Sequence, residues 1–587
     1  MKIFLDLGWF FRREWRRYLV AITALAAVAL LTMIPPRITG QLVDQIESGQ
    51  LSSEHLMMQV VIIVVIALLI YVLRVLWRIY LFGSSLTLAK ELRSRVYQHL
   101  SVMPATFYQR YRTGDLMARC TQDIEAVQMT AGEGVLSMVD GAMTAVVVLG
   151  MMMLTVSWKL SLVALIPWPV MGWLMYRYGN QLHEAFGKSQ TRFSELNDQV
   201  QDTLSGMRLV KAMGAEALLI EGFRQRAANA SEANLAVARI DAAYDPTITV
   251  AMGLSFLLSV AFGGYLILQQ QLTLGQLTSF MMYLGYLLWP MFAFGWMLSI
   301  VERGSASYRR IAALLAEPLP EAMSENTLSG VADIPGKSAS IEVDLNEFVY
   351  QPTATPILRA LHFAVPAGTT LGIIGPVGSG KSTLLQLLLR VYESEPGAIR
   401  LNGVPVSGMP LEQLRSYFAW VGQQPFLFSA TVAENIALGL PQASPEEIEQ
   451  VARLAAVHDD IMRFPDGYQT LVGEKGVTLS GGQKQRLAIA RALLLKAPIL
   501  LLDDALSAVD VETEVAILRH LRAARLQATT IIVTHRLTAV ENADLILVME
   551  QGQIVQQGTH ARLSKVPGWY RDIYEYQKLE QMVDAGR

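Results

Sequence analysis

The stretch that decides the fold of the second half of the chain is Gly375-Pro376-Val377-Gly378-Ser379-Gly380-Lys381-Ser382. It follows the apolar run 370–374 and precedes a helical pattern that begins near Thr383, which is the strand, loop and helix setting of a phosphate-binding loop. Glycines let backbone N–H groups surround a polyphosphate, and the helix N-terminus adds positive potential. We therefore predict a nucleotide site in which Lys381 reaches the β and γ phosphates and the Ser382 hydroxyl holds Mg²⁺.

A second motif lies downstream, where the apolar run 499–503 ends in the carboxylate of Asp503. Such a run predicts a buried strand, and after a phosphate-binding loop its terminal carboxylate is expected to hold Mg²⁺. Strand and helix patterns alternate from about residue 340 onward, so 340–587 is predicted to be an α/β P-loop NTPase domain. The Pro- and Gly-bearing segment 318–339 is the predicted linker.

The first half of the chain has a different character. Of the 587 residues 52% are hydrophobic and only 17% are charged, against about 25% charged in globular domains. Stretches long enough to cross the hydrocarbon core as helices lie at 18–43, 56–80, 135–156, 160–178, 248–269 and 277–301. The connections after the second and fourth are long and polar, with a helical pattern. We predict an α-helical transmembrane domain over 1–317, with six helices and two long cytoplasmic hairpins.

Basic residues orient this domain. They precede the first span and follow the second, whereas the connections 44–55 and 270–276 contain no Lys or Arg. The basic residues concerned are Arg12, Arg13, Arg16, Arg17, Lys90, Arg93, Arg95, Arg110 and Arg112. Both termini are therefore predicted to be cytoplasmic. The net charge of −3 gives no general attraction to nucleic acid, and the single cysteine, Cys120, excludes an internal disulfide.

Two features of the spans leave alternatives open. Arg74 and Arg78 mark either the cytoplasmic exit of the second span or a water-filled cavity, and we prefer the exit because basic side chains near helix ends reach the interface easily. Aromatic side chains surround Pro290 in the sixth span and either line a site for a bulky apolar ligand or pack between helices, which is our preferred interpretation. They are Tyr283, Tyr286, Trp289, Phe292, Phe294 and Trp296.

Between the two nucleotide motifs stands Leu479-Ser480-Gly481-Gly482-Gln483. With this segment the chain resembles, over essentially its whole length, an ATP-binding cassette (ABC) half-transporter of the six-helix exporter type. In that family two cassettes pair head to tail, so the resemblance implies that this signature closes on the γ phosphate held by a second chain. It also implies ATP and Mg²⁺ as cofactors, and an ATPase coupled to movement of a substance across the membrane.

The resemblance assigns roles to further residues. Thr383 joins the phosphate-binding loop, Tyr350 matches the aromatic that stacks on adenine, and Gln423 matches the glutamine that senses Mg²⁺ and the membrane domain. Asp510 matches the D-loop aspartate and His535 the switch histidine that contacts the γ phosphate. The ordinary alternatives are a strand-edge aromatic, polar loop groups and a core histidine.

Two segments resemble the coupling regions of this family. They are 107–123 and 203–216, which fall at the tips of the predicted cytoplasmic hairpins.

One departure from the family bears on mechanism. A glutamate usually follows the aspartate of the second motif and positions or activates the attacking water, but here Asp504 occupies that place. Loss of one methylene withdraws the carboxylate, and a misplacement of about 1 Å costs on the order of a hundredfold in rate. We predict that the site on this P-loop binds ATP and hydrolyses it slowly. The alternative is that backbone adjustment lets Asp504 serve as the base.

These expectations combine into a function. A degenerate site together with an intact signature predicts a heterodimer with a different half-transporter, with a homodimer as the alternative. We expect ATP-driven export of hydrophobic or amphipathic, multidrug-like compounds from the bacterial inner membrane. A lipid translocase, a siderophore importer with the exporter fold and a non-transporting ATP-dependent membrane regulator are the other readings.

Overall fold

The computed structural model describes residues 2–319, 338–350, 355–473, 479–524 and 528–585. The predicted linker 318–339 lies almost wholly outside the described residues. Contacts divide the chain into two units, of which one comprises residues 1–101 and 113–317 and the other comprises residues 102–112 and 318–587.

The first unit is helical. The helices in chain order are α1 (Lys2–Asp6), α2 (Gly8–Arg13), α3 (Trp15–Thr32), α4 (Ile34–Glu47), α5 (Ser53–Val102), α6 (Ala105–Arg110), which belongs to the second unit, α7 (Thr113–Ala118), α8 (Ile124–Met129), α9 (Val135–Met151), α10 (Trp158–Ala164), α11 (Pro167–Ser205), α12 (Met207–Met213), α13 (Glu216–Asp241), α14 (Tyr244–Leu268), α15 (Leu274–Tyr286) and α16 (Leu288–Leu315). Turns of π-helix at Arg119–Asp123, Thr130–Gly134 and Met152–Ser157 join α7 to α10.

In the described part of the chain, helical stretches long and apolar enough to cross a membrane are Trp15–Glu47, Ser53–Val102, Thr113–Ala164, Glu216–Leu268 and Leu274–Leu315. The predicted fourth span, 160–178, is divided between α10 and α11. Leu165 and Ile166 separate the two helices, and Pro167, which has no N–H to donate, begins the second. A hydropathy average does not detect such a break.

Helices α4 and α15 approach each other very closely. A Cβ atom on Gly275 would lie 1.9 Å from the carbonyl oxygen of Gly40, so no larger residue fits there. The Asp44 carboxylate accepts hydrogen bonds from the Thr273 hydroxyl at 2.8 Å and the Gly275 amide at 2.7 Å. Small residues with short polar contacts are typical of packed membrane helices.

The predicted coupling segments lie at helix turns. Helix α12 forms the tip between the long helices α11 and α13. The segment 107–123 is divided, because α6 belongs to the second unit and α7 to the first. In the first unit, Arg310 bridges Asp115 at 2.6 Å and Asp123 at 3.2 Å, which ties the base of the third membrane helix to α16.

The second unit is an α/β domain. Its strands are β1 (Ile341–Phe348), β2 (Leu358–Val365), β3 (Thr370–Ile374), β4 (Ile399–Leu401), β5 (Val404–Pro405), β6 (Phe418–Val421), β7 (Ala430–Thr431), β8 (Leu471–Val472), β9 (Ile499–Asp503), β10 (Thr529–Val533), β11 (Leu545–Glu550) and β12 (Gln553–Gly558). Its helices after α6 are α17 (Lys381–Leu388), α18 (Leu411–Ser416), α19 (Val432–Ile436), α20 (Pro445–Leu454), α21 (His458–Met462), α22 (Gly481–Leu494), α23 (Val511–Ala524), α24 (His560–Leu563) and α25 (Trp569–Ala585).

The central sheet has the strand order β12-β11-β3-β10-β9-β6, and every neighbouring pair from β11 to β6 is parallel. Side chains alternate between two cores, with Ile499 and Leu501 on one face and Leu500 and Leu502 on the other. A smaller sheet has the order β2-β1-β4-β5. The predicted strands 370–374 and 499–503 are confirmed, and the carboxyl ends of β3, β10, β9 and β6 meet at one edge.

Candidate nucleotide-binding site

A cavity of about 430 Å³ opens at the carboxyl edge of the parallel strands. Ligands of open α/β sheets bind at this edge, and the volume suits a small molecule. The cavity is lined by Ile357, Gly375, Val377, Gly378, Ser379, Gly380, Lys381, Ser382, Thr383, Gln423, Asp503, Asp504, Val533, Thr534 and His535. Most of the residues predicted to bind the nucleotide and its metal therefore surround one space.

The loop between β3 and α17 has the backbone that its glycines predict. Gly380 has φ +95°, and a Cβ atom on it would lie 2.5 Å from the Leu358 side chain. The Lys381 ammonium donates to the carbonyl oxygens of Gly375 and Pro376, each at 2.8 Å. Burial lowers the pKa of Lys381, while the nearby Asp504 and Asp503 carboxylates oppose that shift. Lys381 is thus held inside the loop by two backbone carbonyl groups.

The Ser382 hydroxyl donates to the Asp503 carboxylate at 3.1 Å. Two oxygens that coordinate one Mg²⁺ at adjacent octahedral positions stand about 2.9 Å apart, since each bond is about 2.0–2.1 Å. The pair therefore fits this ion. Burial raises the pKa of Asp503, and the Ser382 hydrogen bond opposes that shift. Gln423, which follows β6, lines the same cavity.

Asp504 and His535 lie side by side. Nδ1 of His535 is 3.0 Å from Oδ1 of Asp504, whose side chain is largely buried. The backbone of Asp504 is left-handed with φ +48°, a conformation that Asp tolerates better than most residues. The carboxylate in the position of the expected catalytic glutamate thus lies next to His535, the predicted switch histidine of the same chain.

Tyr350 stands beside α17. Its hydroxyl is 2.8 Å from the Thr383 hydroxyl, and its ring packs edge-on against Tyr392 with centroids 4.8 Å apart. The side chain is 42% exposed, so part of its surface is open to a planar base. Gln109, on α6, donates to the Tyr392 hydroxyl. Tyr392 therefore contacts both the aromatic predicted to stack on adenine and helix α6 of the same unit.

The signature segment and Asp510 do not line this cavity. Ser480 caps α22 by accepting a hydrogen bond from the Gln483 amide at 3.3 Å. A Cβ atom on Gly482 would lie 2.8 Å from the Ala508 carbonyl oxygen, so the signature packs on the segment leading to Asp510. The Asp510 carboxylate accepts from the Thr513 amide at 2.9 Å, which lowers the pKa of that carboxyl group. Leu479 is buried and Gly481 is exposed.

Sequence reasoning missed Arg536, which follows His535, the predicted switch histidine. Its guanidinium donates to the Val509 and Ser507 carbonyls, each at 3.0 Å, and to the buried Glu514 carboxylate at 2.7 Å. Gln485 of α22 donates to the Ser507 hydroxyl at 2.9 Å. These contacts join the segment after β10, the segment leading to Asp510 and helix α22. Only the position of Arg536 beside His535 could have drawn attention to it.

Arg536→Ala is expected to destabilise the second unit by about 3–5 kcal/mol, because it leaves the Glu514 carboxylate buried and unpaired. The apparent melting temperature of the cassette in the full-length detergent-purified chain should fall by roughly 10 °C. Arg571→Ala, which removes an exposed pair with Glu575, is the control and should change it little. Equal shifts for the two variants would contradict a structural role for the Arg536 network.

Family profiles match both halves of the chain. The ABC transporter transmembrane region matches residues 18–291, and the ABC transporter domain matches residues 358–507. Together with the fold and the cavity, these matches define the class: the chain belongs to the ABC transporter family as an exporter-type half-transporter, an ATP-binding ATPase coupled to transport.

Individual relatives cover the same length. The chain is 49% identical over 585 residues to the multidrug resistance-like ATP-binding protein MdlA of Escherichia coli strain K12, covering 100% of this chain and 98% of that protein. It is 41% identical over 582 residues to the probable multidrug resistance ABC transporter ATP-binding/permease protein YheI of Bacillus subtilis strain 168, covering 99% and 98%. A bacterial Atm1-family ABC exporter solved with ATP bound superposes with a TM-score of 0.76 at 26% identity, covering 97% and 98%.

Proposed function

We propose that this chain is one half of an ATP-driven exporter of hydrophobic or amphipathic compounds, with both termini on the cytoplasmic side of a bacterial inner membrane. The observation that carries the proposal is the assembly of Lys381, Asp503 and His535 around one cavity in a chain that also has a long apolar helical domain. The relatives named for multidrug resistance support the substrate class.

The cavity residues fit ATP with Mg²⁺. The Ser382 and Asp503 oxygens would hold the ion, with Gln423 beside them, and the ion would neutralise charge on the β and γ phosphates. Lys381 would bind the same phosphates, and Tyr350 would stack on the base. His535 would contact the γ phosphate, and Asp504 would orient or deprotonate the attacking water.

The site on this P-loop needs a second cassette. Ser480 and Asp510 are not among the residues that line the cavity, so a signature from another chain would close it, and this signature would close the site of the partner. ATP held between two cassettes would draw the hairpin tips together and turn the transport cavity outward. ATP can shift the equilibrium between the two orientations of the transport cavity only by the difference in its affinity for them.

We further propose that the partner is a different half-transporter, because Asp504 weakens the site on this P-loop while Leu479 to Gln483 is intact. The steady-state ATPase rate of the chain purified alone in lipid should be low, and the rate of the chain co-expressed with its candidate partner should be at least about tenfold higher. Vigorous activity alone would establish a working homodimer instead.

Ser480→Arg in this chain tests whether its signature closes the site of the partner. The bulky cation would obstruct the site built on the partner's P-loop, so the mixed complex should lose most of its ATPase activity while nucleotide binding at this chain's P-loop persists. Activity undiminished from that of the unaltered complex would contradict the head-to-tail pairing. Substrate movement in vesicles then distinguishes export from import or lipid translocation, and nucleotide-dependent change without movement would indicate a regulator.

A further inference from the structure

Asp140 is the only Asp or Glu within the six predicted membrane spans. A carboxylate within a membrane span has a high free-energy cost in contact with lipid, so such groups face the interior of a helix bundle or a water-filled cavity. The proposed ATPase mechanism does not use Asp140. Its position within the third span therefore makes it a candidate for contacting a compound that the membrane domain binds.

The structure gives Asp140 an aromatic partner. The indole Nε1 of Trp289, at the middle of the sixth span, donates to Oδ2 of Asp140 at 2.8 Å. The neighbouring Gly141 packs tightly on α16, because a Cβ atom there would lie 3.1 Å from the Cβ of Ala293. This close helix contact fixes the carboxylate and the indole relative to each other.

Only one of the two Asp140 carboxylate oxygens accepts a hydrogen bond in the described part of the chain. Asp140 is half-buried, and among the described residues no donor contacts Oδ1 and no basic side chain pairs with it. Trp289 is 54% exposed, and Phe292 and Trp296, three and seven residues further on, are exposed too, so the described helices of this chain do not cover these three as the preferred packing interpretation expected. Residues with this spacing share one face of a helix. A free carboxylate oxygen therefore adjoins a strip of open aromatic rings.

We infer that Asp140 and the face formed by Trp289, Phe292 and Trp296 bind the transported compound and select lipophilic organic cations. Aromatic faces attract cations within about 6 Å, and a carboxylate of opposite charge acts strongly where water is scarce. The apolar parts of the same compound contact the aromatic rings, whereas an anion is repelled and a neutral compound gains nothing from Asp140. The inference rests on the proposed export function and specifies its substrate.

The test uses the complete transporter in proteoliposomes with the cassettes outside, so that added ATP drives uptake. Cationic ethidium is followed with DNA trapped inside, and neutral calcein acetoxymethyl ester with trapped esterase. In Asp140→Asn the initial rate of ethidium uptake should fall by about tenfold, because the carboxylate charge that attracts the cation where water is scarce is lost, while calcein ester uptake changes less than about twofold. Asp140→Glu should restore ethidium uptake.

The matched control is Asp245→Asn, which removes the same charge near the start of α14, outside the predicted spans. It should leave the ratio of the two uptake rates unchanged. The inference is overturned if Asp140→Asn lowers both rates equally or neither, or if the unaltered protein moves only the neutral dye. If the unaltered protein moves neither dye while hydrolysing ATP, the proposed multidrug function fails and this inference with it.

Discussion

Lys381→Ala is expected to raise the dissociation constant of ATP at this chain's site by roughly a hundredfold, because hydrogen bonds to charged groups contribute about 1.5–3 kcal/mol each. The ammonium is held in the phosphate-binding loop by the Gly375 and Pro376 carbonyls. No other Lys or Arg lines the cavity in the described part of the chain, so no other basic side chain replaces it at the phosphates. Equilibrium binding of a fluorescent ATP analogue to the full-length chain measures the change.

Two further variants show whether the loss of ATP binding is due to the charge of Lys381. Lys381→Met keeps the length of the side chain but not its charge, so it should lose binding as severely as the alanine variant. Lys496→Ala removes an exposed lysine of the same domain that pairs with Glu447 at 3.0 Å, and it should bind ATP normally. Normal binding by both Lys381 variants would show that the cavity is not the nucleotide site.

The parts of this site that sequence alone could predict are local. The apolar run of β3, the glycines after it and the terminal carboxylate of β9 each depend on neighbours in sequence, and the strands β3 and β9 have the predicted bounds. The helix after the loop begins at Lys381, two residues before the predicted start. Short-range patterns were sufficient because turn chemistry and buried strands are encoded locally.

The contact between Asp504 and His535 could not be predicted in this way. It depends on the parallel pairing of β9 with β10, in which Asp503 lies opposite Val533 and brings the residues after each strand together. The pairing of Trp289 with Asp140 is likewise tertiary. A search for charged residues within the hydropathy spans would have found Asp140, but its partner comes from a helix far along the chain.

The second large effect is expected for Asp504→Glu, which changes the group in contact with His535 and should raise the rate of ATP hydrolysis at this site. The longer side chain would extend the carboxylate past its present position, 3.0 Å from the His535 ring, and toward water at the γ phosphate. If about 1 Å of misplacement costs about a hundredfold in rate, hydrolysis at this site should rise by between tenfold and a hundredfold. The left-handed backbone at φ +48° opposes the gain, since Glu tolerates it less well than Asp.

The site can be measured in isolation with substitutions in this chain alone. Ser480→Arg disables the site on the partner's P-loop, so the remaining ATPase activity of the mixed complex reports the site that contains Asp504. Adding Asp504→Glu to Ser480→Arg should then restore turnover, whereas adding Asp504→Asn should not. In a homodimer Ser480→Arg would disable both sites, and no substitution at Asp504 would recover activity. If the Ser480→Arg complex with Asp504 unchanged keeps about half of the ATPase activity of the unaltered complex, the aspartate is a competent base and the two sites are equivalent.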